Sequence, residues 1–184
     1  MMNELLRRIE GPNLVLRLIE PEDAAYVHGL RTDPTYNRHL SEVHGTVDDQ
    51  RLWIESYKAR ETHGTEYYYV IERHTRVRCG LVRLYEINQD NCTWGSWILD
   101  HNKPRKAAIE SIYLSYMIAF DILKIKYAYF DVRKNNYKAL KLYHLLGAKQ
   151  INIDLDNIYF IYPCERYNAD RARYKEIIEG AREI

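Results

Sequence analysis

Residues 131–151 read "DVRKNNYKALKLYHLLGAKQI". The stretch leaves an extended segment, crosses Asn135 and Asn136, runs for about three helical turns, and enters a second extended segment after Gly147. Within the predicted helix Ala139, Leu142, Tyr143 and Leu146 recur at three- and four-residue steps and define one inward face. A core would accept leucine at position 143. A tyrosine there is either a core residue with a satisfied hydroxyl or a phenol aimed at something.

Outward from this segment the pattern is a series of strands and helices with no repeat, low-complexity tract or linker. "NLVLRLI" (Asn13 to Ile19) alternates apolar and polar residues as a strand does. "EPEDAAYVHGLR" opens a helix at Pro21, and "TVDDQRLWIESYKAR" opens another, with Thr46 as N-cap and Asp48 and Asp49 in its first turn. Three strands follow, Glu66 to Glu72, Val77 to Ile87 and Cys92 to Leu99, joined by "RHTR" and "NQDN" as an antiparallel meander. In the middle strand Cys79, Leu81, Arg83, Tyr85 and Ile87 are expected on one face. A buried helical stripe from Ala107 to Leu123, a strand over Lys126 to Val132, the opening helix and two closing strands complete the order βαα, βββ, αβ, αββ. The expected fold is α/β (α+β): a mixed, mostly antiparallel sheet with helices on both faces, in one domain over 1–184. Its charged 165–184 segment is expected to be a helical surface appendage.

At 184 residues the chain suffices for one domain with a full core. Its 27 basic and 26 acidic residues leave a net charge of +1, which argues against a dedicated nucleic-acid binder. The three cysteines are widely spaced and odd in number, so no disulfide framework or metal-type pairing follows. No apolar stretch near the start is long enough for a signal peptide or membrane span, and the default expectation is a cytoplasmic protein. Seventeen tyrosines stand against three phenylalanines, which fits either a wet, half-apolar cleft or a half-exposed antiparallel sheet.

The meander, a strand ending in "SWIL", a long helix, the strand "YAYFDVR" and then "NNYKALKLYHLLGA" together resemble the GNAT family of N-acetyltransferases. Asn136, Ala139, Leu142, Tyr143 and Gly147 match that family's signature, with Ala148 where an aromatic residue is usual. The resemblance covers nearly the whole chain. "LRTDP", "EYYYVIE", "VRLYEI", "WGSWIL" and "AAIES" resemble a branch associated with bacterial surface-sugar biosynthesis.

What the resemblance implies is an acyl-CoA N-acyltransferase fold in which two neighbouring parallel strands splay apart, here Thr93 to Leu99 and Tyr127 to Val132. The pantetheine arm of acetyl-CoA would lie in the gap against backbone groups of Trp97, Ile98 and Leu99. Its pyrophosphate would rest at the start of the long helix, on Lys103, Arg105, Lys106, Ala107 and Ala108. This loop, "HNKPRKAAIES", lacks the glycines usual there. Asn136 would anchor the coenzyme, and the Tyr143 hydroxyl would protonate the departing thiolate. For the base, the residues offer Glu86, Asp100, His101, Glu110 or a water chain, and Glu86 and His101 are the expected catalytic groups among them. Arg31, His39, Arg83, Tyr85 and Trp97 are expected to hold the acceptor, a small-molecule amine such as a nucleotide-linked amino sugar. A protein N-terminus or an aminoglycoside is the alternative acceptor, and a silent acyl-CoA-binding module is the alternative function. No metal, nucleic acid or membrane is expected as partner, and the chain would be a monomer or homodimer.

Overall fold

In a computed structural model, which describes residues 4–180, the chain forms eight strands. These are β1 (Arg8–Glu10), β2 (Leu14–Leu18), β3 (Tyr67–Arg73), β4 (Arg78–Tyr85), β5 (Asn91–Leu99), β6 (Tyr127–Arg133), β7 (Lys149–Ile153) and β8 (Asn157–Pro163). They form one sheet in the order β1-β2-β3-β4-β5-β6-β8-β7. Every neighbouring pair is antiparallel except β5 and β6, which run parallel. The helices are α1 (Ala24–Thr32), α2 (Pro34–Asn37), α3 (Val47–Thr62), α4 (Ala107–Tyr116), α5 (Tyr137–Leu145) and α6 (Cys164–Glu179).

Both faces of the sheet are covered, because its strands carry apolar residues on both. On one face Ile19, Val27, Ile54, Tyr57, Tyr68, Val70, Leu81 and Ile98 join α1 and α3 to the sheet. On the other, Tyr69, Ile71, Val82, Leu84 and Trp94 pack with residues of α4, α5 and α6. The mixed sheet with helices on both faces is therefore the architecture expected from the sequence. Thr46 caps α3 as its pattern predicts, in a reciprocal capping box with Asp49.

Four local expectations need correction. The helix from Ala107 is α-helical only to Tyr116 and continues as a π-helical turn over Met117–Ile122. Residues 164–179 are helical but no appendage: Tyr167, Tyr174 and Ile178 are buried in the larger core. Residues 181–184 of that segment lie outside the described residues. Cys79 leaves the face it was expected to share with Leu81, because the register slips there: Ile71 faces Gly80 and Glu72 faces Arg78. That bulge inserts one residue and turns Cys79 into the other core.

The fourth correction concerns the tyrosines. Tyr57, Tyr69, Tyr116, Tyr162 and Tyr167 are among the largest fully buried side chains. They are core material, and the polar tip of most finds a partner, as in the Tyr57 hydroxyl donating to Glu61 and that of Tyr167 donating to Asp121, while the Tyr116 hydroxyl has none among the described residues.

A buried charge network ties β2 to the first helices. Arg17 donates to both oxygens of Asp23 at 2.7 and 2.8 Å and to Glu72 at 2.7 Å. Burial raises the Asp23 carboxyl, but the Arg17 bonds, the Glu20 N–H and the Arg78 charge outweigh it and hold Asp23 below its ordinary value. Gly147 ends α5. Its N–H donates to the His144 carbonyl and that of Ala148 to the Tyr143 carbonyl, the two bonds of a Schellman cap, with φ of +77° at the glycine.

Gly147→Ala is expected to cost about 1–2 kcal/mol in urea unfolding, since alanine is strained in the left-handed region. An unchanged midpoint would contradict the cap. The stability gap between the native protein and Asp23→Asn should be full above about pH 5 and close as pH falls below about 4, through the depressed folded-state value. Thermal melts across that range check it; a gap that widens in acid would refute the network.

Candidate active site

The parallel pair is short. Asn91, Cys92 and Thr93 lie beside Tyr127, Ala128 and Tyr129, and there the pairing stops. Beyond it β6 stays paired to β8 through Arg133, and β5 stays paired to β4 through Leu99. The divergence has a local cause. Arg83 faces Gly95 while Leu81 faces Ile98, so Ser96 and Trp97 together oppose the single residue Val82. Ser96 takes a φ of 48°, as the extra residue of such a bulge does. The bulge bends β5 away from β6 and leaves its edge from Trp94 to Leu99 without a strand beside it.

The gap is a cleft of about 450 Å³. Its walls are β5 from Trp94 to Leu99, β6 from Asp131 to Arg133, the α5 residues Lys138, Ala139, Leu142 and Tyr143, and Tyr36, His39 and Leu40 beyond α1. Lys103 and Ala108 close the end at the start of α4. The first N–H groups of α4 have no intrahelical partner there.

Tyr143 is 3% exposed and wedged among Phe130 at 4.6 Å, Trp94 at 5.8 Å and Trp97 at 6.4 Å between ring centroids. Its hydroxyl makes no hydrogen bond among the described residues, and the residue lines the cleft. Burial raises its phenol well above the ordinary tyrosine value, so it is protonated at neutral pH. Asn136 is the N-cap of α5: its Oδ1 accepts from the Ala139 N–H at 3.2 Å, which leaves its NH₂ group for the cleft that it lines.

The other expected residues divide. Trp97, Ile98, Leu99, Lys103 and Ala108 line the cleft. Ala107 is instead buried in the core, and the Lys106 ammonium donates to the Gly180 carbonyl after α6, so neither side chain faces the cleft. Arg105 is exposed on the same loop. Trp97 was expected to stack on an acceptor as well, but its indole N–H is tied to Ser111 Oγ of α4 at 3.1 Å, on the α4 side of the sheet. His39 lines the cleft. Arg31 reaches Ser96 Oγ at 3.4 Å, and Arg83 bonds Glu66 and lies over the Tyr85 ring at 4.6 Å. Tyr85 is not on the cleft: its ring lies against Gly95 and lines a separate surface pocket with Glu66 and Glu86.

The base candidates fare unevenly. Glu86 is exposed, accepts from Thr93 Oγ1 at 2.6 Å and lies outside the cleft beside Tyr85. Asp100 is held by the Tyr26 hydroxyl, and Glu110, fully buried, accepts three hydrogen bonds from Asn13 and Leu14. His101 Nδ1 is 3.2 Å from the hydroxyl of Tyr36, a cleft residue. Burial pushes the thiols of Cys79 and Cys92 up to about 12, which removes them as nucleophiles. Trp94, Asp131, Arg133 and Lys138 also line the cleft and are not among the residues expected there. The positions of Asp131 and Arg133, two apart on β6, carried the signal, since both lie on one side of a strand already expected to border the gap.

A family model described as "Acetyltransferase (GNAT) domain" matches residues 13–149. The chain therefore belongs to the GNAT acetyltransferases. Among solved structures it is similar to apo FdhC, described as a nucleotide-linked sugar GNAT, with 35% identity and a TM-score of 0.84 over 91% of this chain and 96% of that one. It also resembles a spermidine N-acetyltransferase from Vibrio cholerae in complex with CoA and spermine, with 22% identity and a TM-score of 0.73 over 86% of this chain and 99% of that one. The second likeness shows the fold alone. Among curated proteins none matches. Among the described residues no cluster of side chains is arranged to hold a metal, and no helix is long and apolar enough to cross a membrane.

Asn136→Ala is expected to lower stability by about 1 kcal/mol in a urea titration through loss of the α5 cap. A neutral outcome would mean that the cap bond carries no weight.

Proposed function

We propose that the protein transfers an acetyl group from acetyl-CoA directly to the primary amine of a small molecule, a nucleotide-linked amino sugar being the acceptor class favoured. The observation that carries this reading is the open edge of β5 with the Tyr143 phenol beside it. Residues on the cleft fit the coenzyme: an unpaired strand edge for its amides, Lys103 and the α4 N-terminus for its phosphates, and the free NH₂ of Asn136. Bound there, the coenzyme supplies an activated thioester.

The chain's own residues then have distinct tasks. The bulged edge from Trp97 to Leu99 fixes the thioester's position. The Tyr143 hydroxyl, kept protonated at neutral pH by its burial, hydrogen-bonds the departing sulfur and shares its proton with it. Trp94, Trp97 and Phe130 keep that phenol in one orientation and exclude water. The attacking amine must be uncharged. One with a pKa near about 8 is partly so at neutral pH, and the His101–Tyr36 pair offers a path for its proton.

The preference for a nucleotide-linked sugar rests on the likeness to FdhC across nearly the whole of both chains, and on arginines rather than carboxylates at Arg31 and Arg83. Tyr143→Phe is expected to lower kcat about 10²-fold while coenzyme affinity holds, measured by thiol release and by calorimetry. The native pH profile should rise with acceptor deprotonation and show no alkaline loss from this phenol below about pH 10. Equal turnover in the phenylalanine variant would remove the proposed acid.

A further inference from the structure

On the α1–α3 side of the sheet a second cavity, of about 160 Å³, is walled by Arg31, Gln50, Trp53, Tyr68 and Arg83 with two valines. Its polar groups are left unfinished. Tyr68 is 2% exposed and its hydroxyl has no hydrogen-bond partner. The Arg31 Nε–H is equally sealed and equally unpartnered. The Arg31 guanidinium lies close enough to offset part of the rise that burial imposes on the Tyr68 phenol, yet no hydrogen bond of sound geometry joins them. Gln50 is 9% exposed, and its side-chain amide bonds to nothing among the described residues. Arg83 spends its Nε on Glu66 and lies against the Trp53 ring at 5.3 Å, with its terminal nitrogens uncommitted.

Buried donors without acceptors are costly, and a cavity ringed by several of them is built for an acceptor that arrives from outside. The local charge points the same way. Among the described residues no carboxylate lines the cavity, and the nearby Glu66 is already shared between Arg60 and Arg83 at 2.7 Å each. Arg31 and the outer end of Arg83 therefore leave an excess of positive charge. The volume, about 160 Å³, has room for an oxyanion head such as a phosphate. Arg31 connects the cavity to the cleft, since its Nη1 meets Ser96, the bulge residue on the cleft wall.

We propose that this cavity is an oxyanion subsite, in which Arg31, Tyr68, Gln50 and Arg83 hold a phosphate or carboxylate group of the acceptor while its amine lies across Ser96 in the cleft. The proposal rests on the acetyltransferase reading for the word acceptor, but the site's affinity for an anion stands apart from it. It also sets the protein against polyamines as acceptors, because two guanidinium groups repel a polycation.

Calorimetric titration of the full chain tests it, with inorganic pyrophosphate, thymidine diphosphate, glucuronate and spermidine as probes, each with and without saturating coenzyme A. Binding of thymidine diphosphate or pyrophosphate in the presence of coenzyme A assigns the subsite to phosphate. Binding of glucuronate alone assigns it to carboxylate. In either case Tyr68→Phe and Arg31→Met should each weaken the anion about tenfold or more and leave coenzyme A affinity unchanged. The phenylalanine variant keeps the apolar packing, and circular dichroism melts establish that both variants fold. Anion binding that coenzyme A abolishes, or that both variants retain in full, would place the anion elsewhere and overturn the proposal. So would the absence of any anion binding, or spermidine binding in preference. Failure of coenzyme A to bind would sink the acetyltransferase reading and leave the anion result to be judged alone.

Discussion

The unpaired edge of β5 is the feature on which the rest of the structure depends. A strand edge inside a domain carries backbone donors and acceptors that must be satisfied by something. Here the bulge at Ser96 and Trp97 turns that edge away from β6 after three paired positions. Close packing behind it keeps the bend in place. Gly80 lies against β5 so tightly that a Cβ there would come within 2.3 Å of the Ile98 carbonyl. The opening is thus a property of the backbone itself, and the side chains around it form its walls.

Aromatic packing gives the opening firm walls. Trp94, Trp97, Phe130, Tyr143 and Phe160 form one continuous set of ring contacts from β5 across β6 to α5. Tyr116 stacks on Tyr162 at 4.4 Å and extends the set toward α6. Rings have few rotatable bonds, so such a cluster holds a phenol in place at small entropic cost. The C-terminal helix belongs to this arrangement, because Tyr167 and Tyr174 pack against Tyr113 of α4. The helix that begins at Ala107 is held from behind by the same residues whose charge pattern reads as a surface segment.

Much of the fold was legible because its signals are local. The Thr46 cap, the alternation in β2 and the Ala139–Leu142–Tyr143–Leu146 face depend on neighbours within a turn or two of the chain. The fates of Lys106 and Glu86 were not legible. Lys106 reads as a phosphate ligand until α6 places the Gly180 carbonyl within its reach, and Glu86 reads as a base until Thr93 takes its carboxylate. The cavity around Tyr68 was invisible for a similar reason. Gln50 and Trp53 come from α3, Arg31 from α1 and Tyr68 from β3, and nothing in their spacing announces that they meet.

The amino-acid sequence by itself determined the order of strands and helices, the terminating glycine of α5 and the inward position of Tyr143, because periodicity, caps and turn residues act over a few positions. Tertiary structure alone decided where β5 parts from β6, on which face Cys79 lies, and which cations remain free to meet a ligand. Those outcomes turn on register between strands and on partners far apart in the chain, and the energy that settles them belongs to contacts no single segment contains.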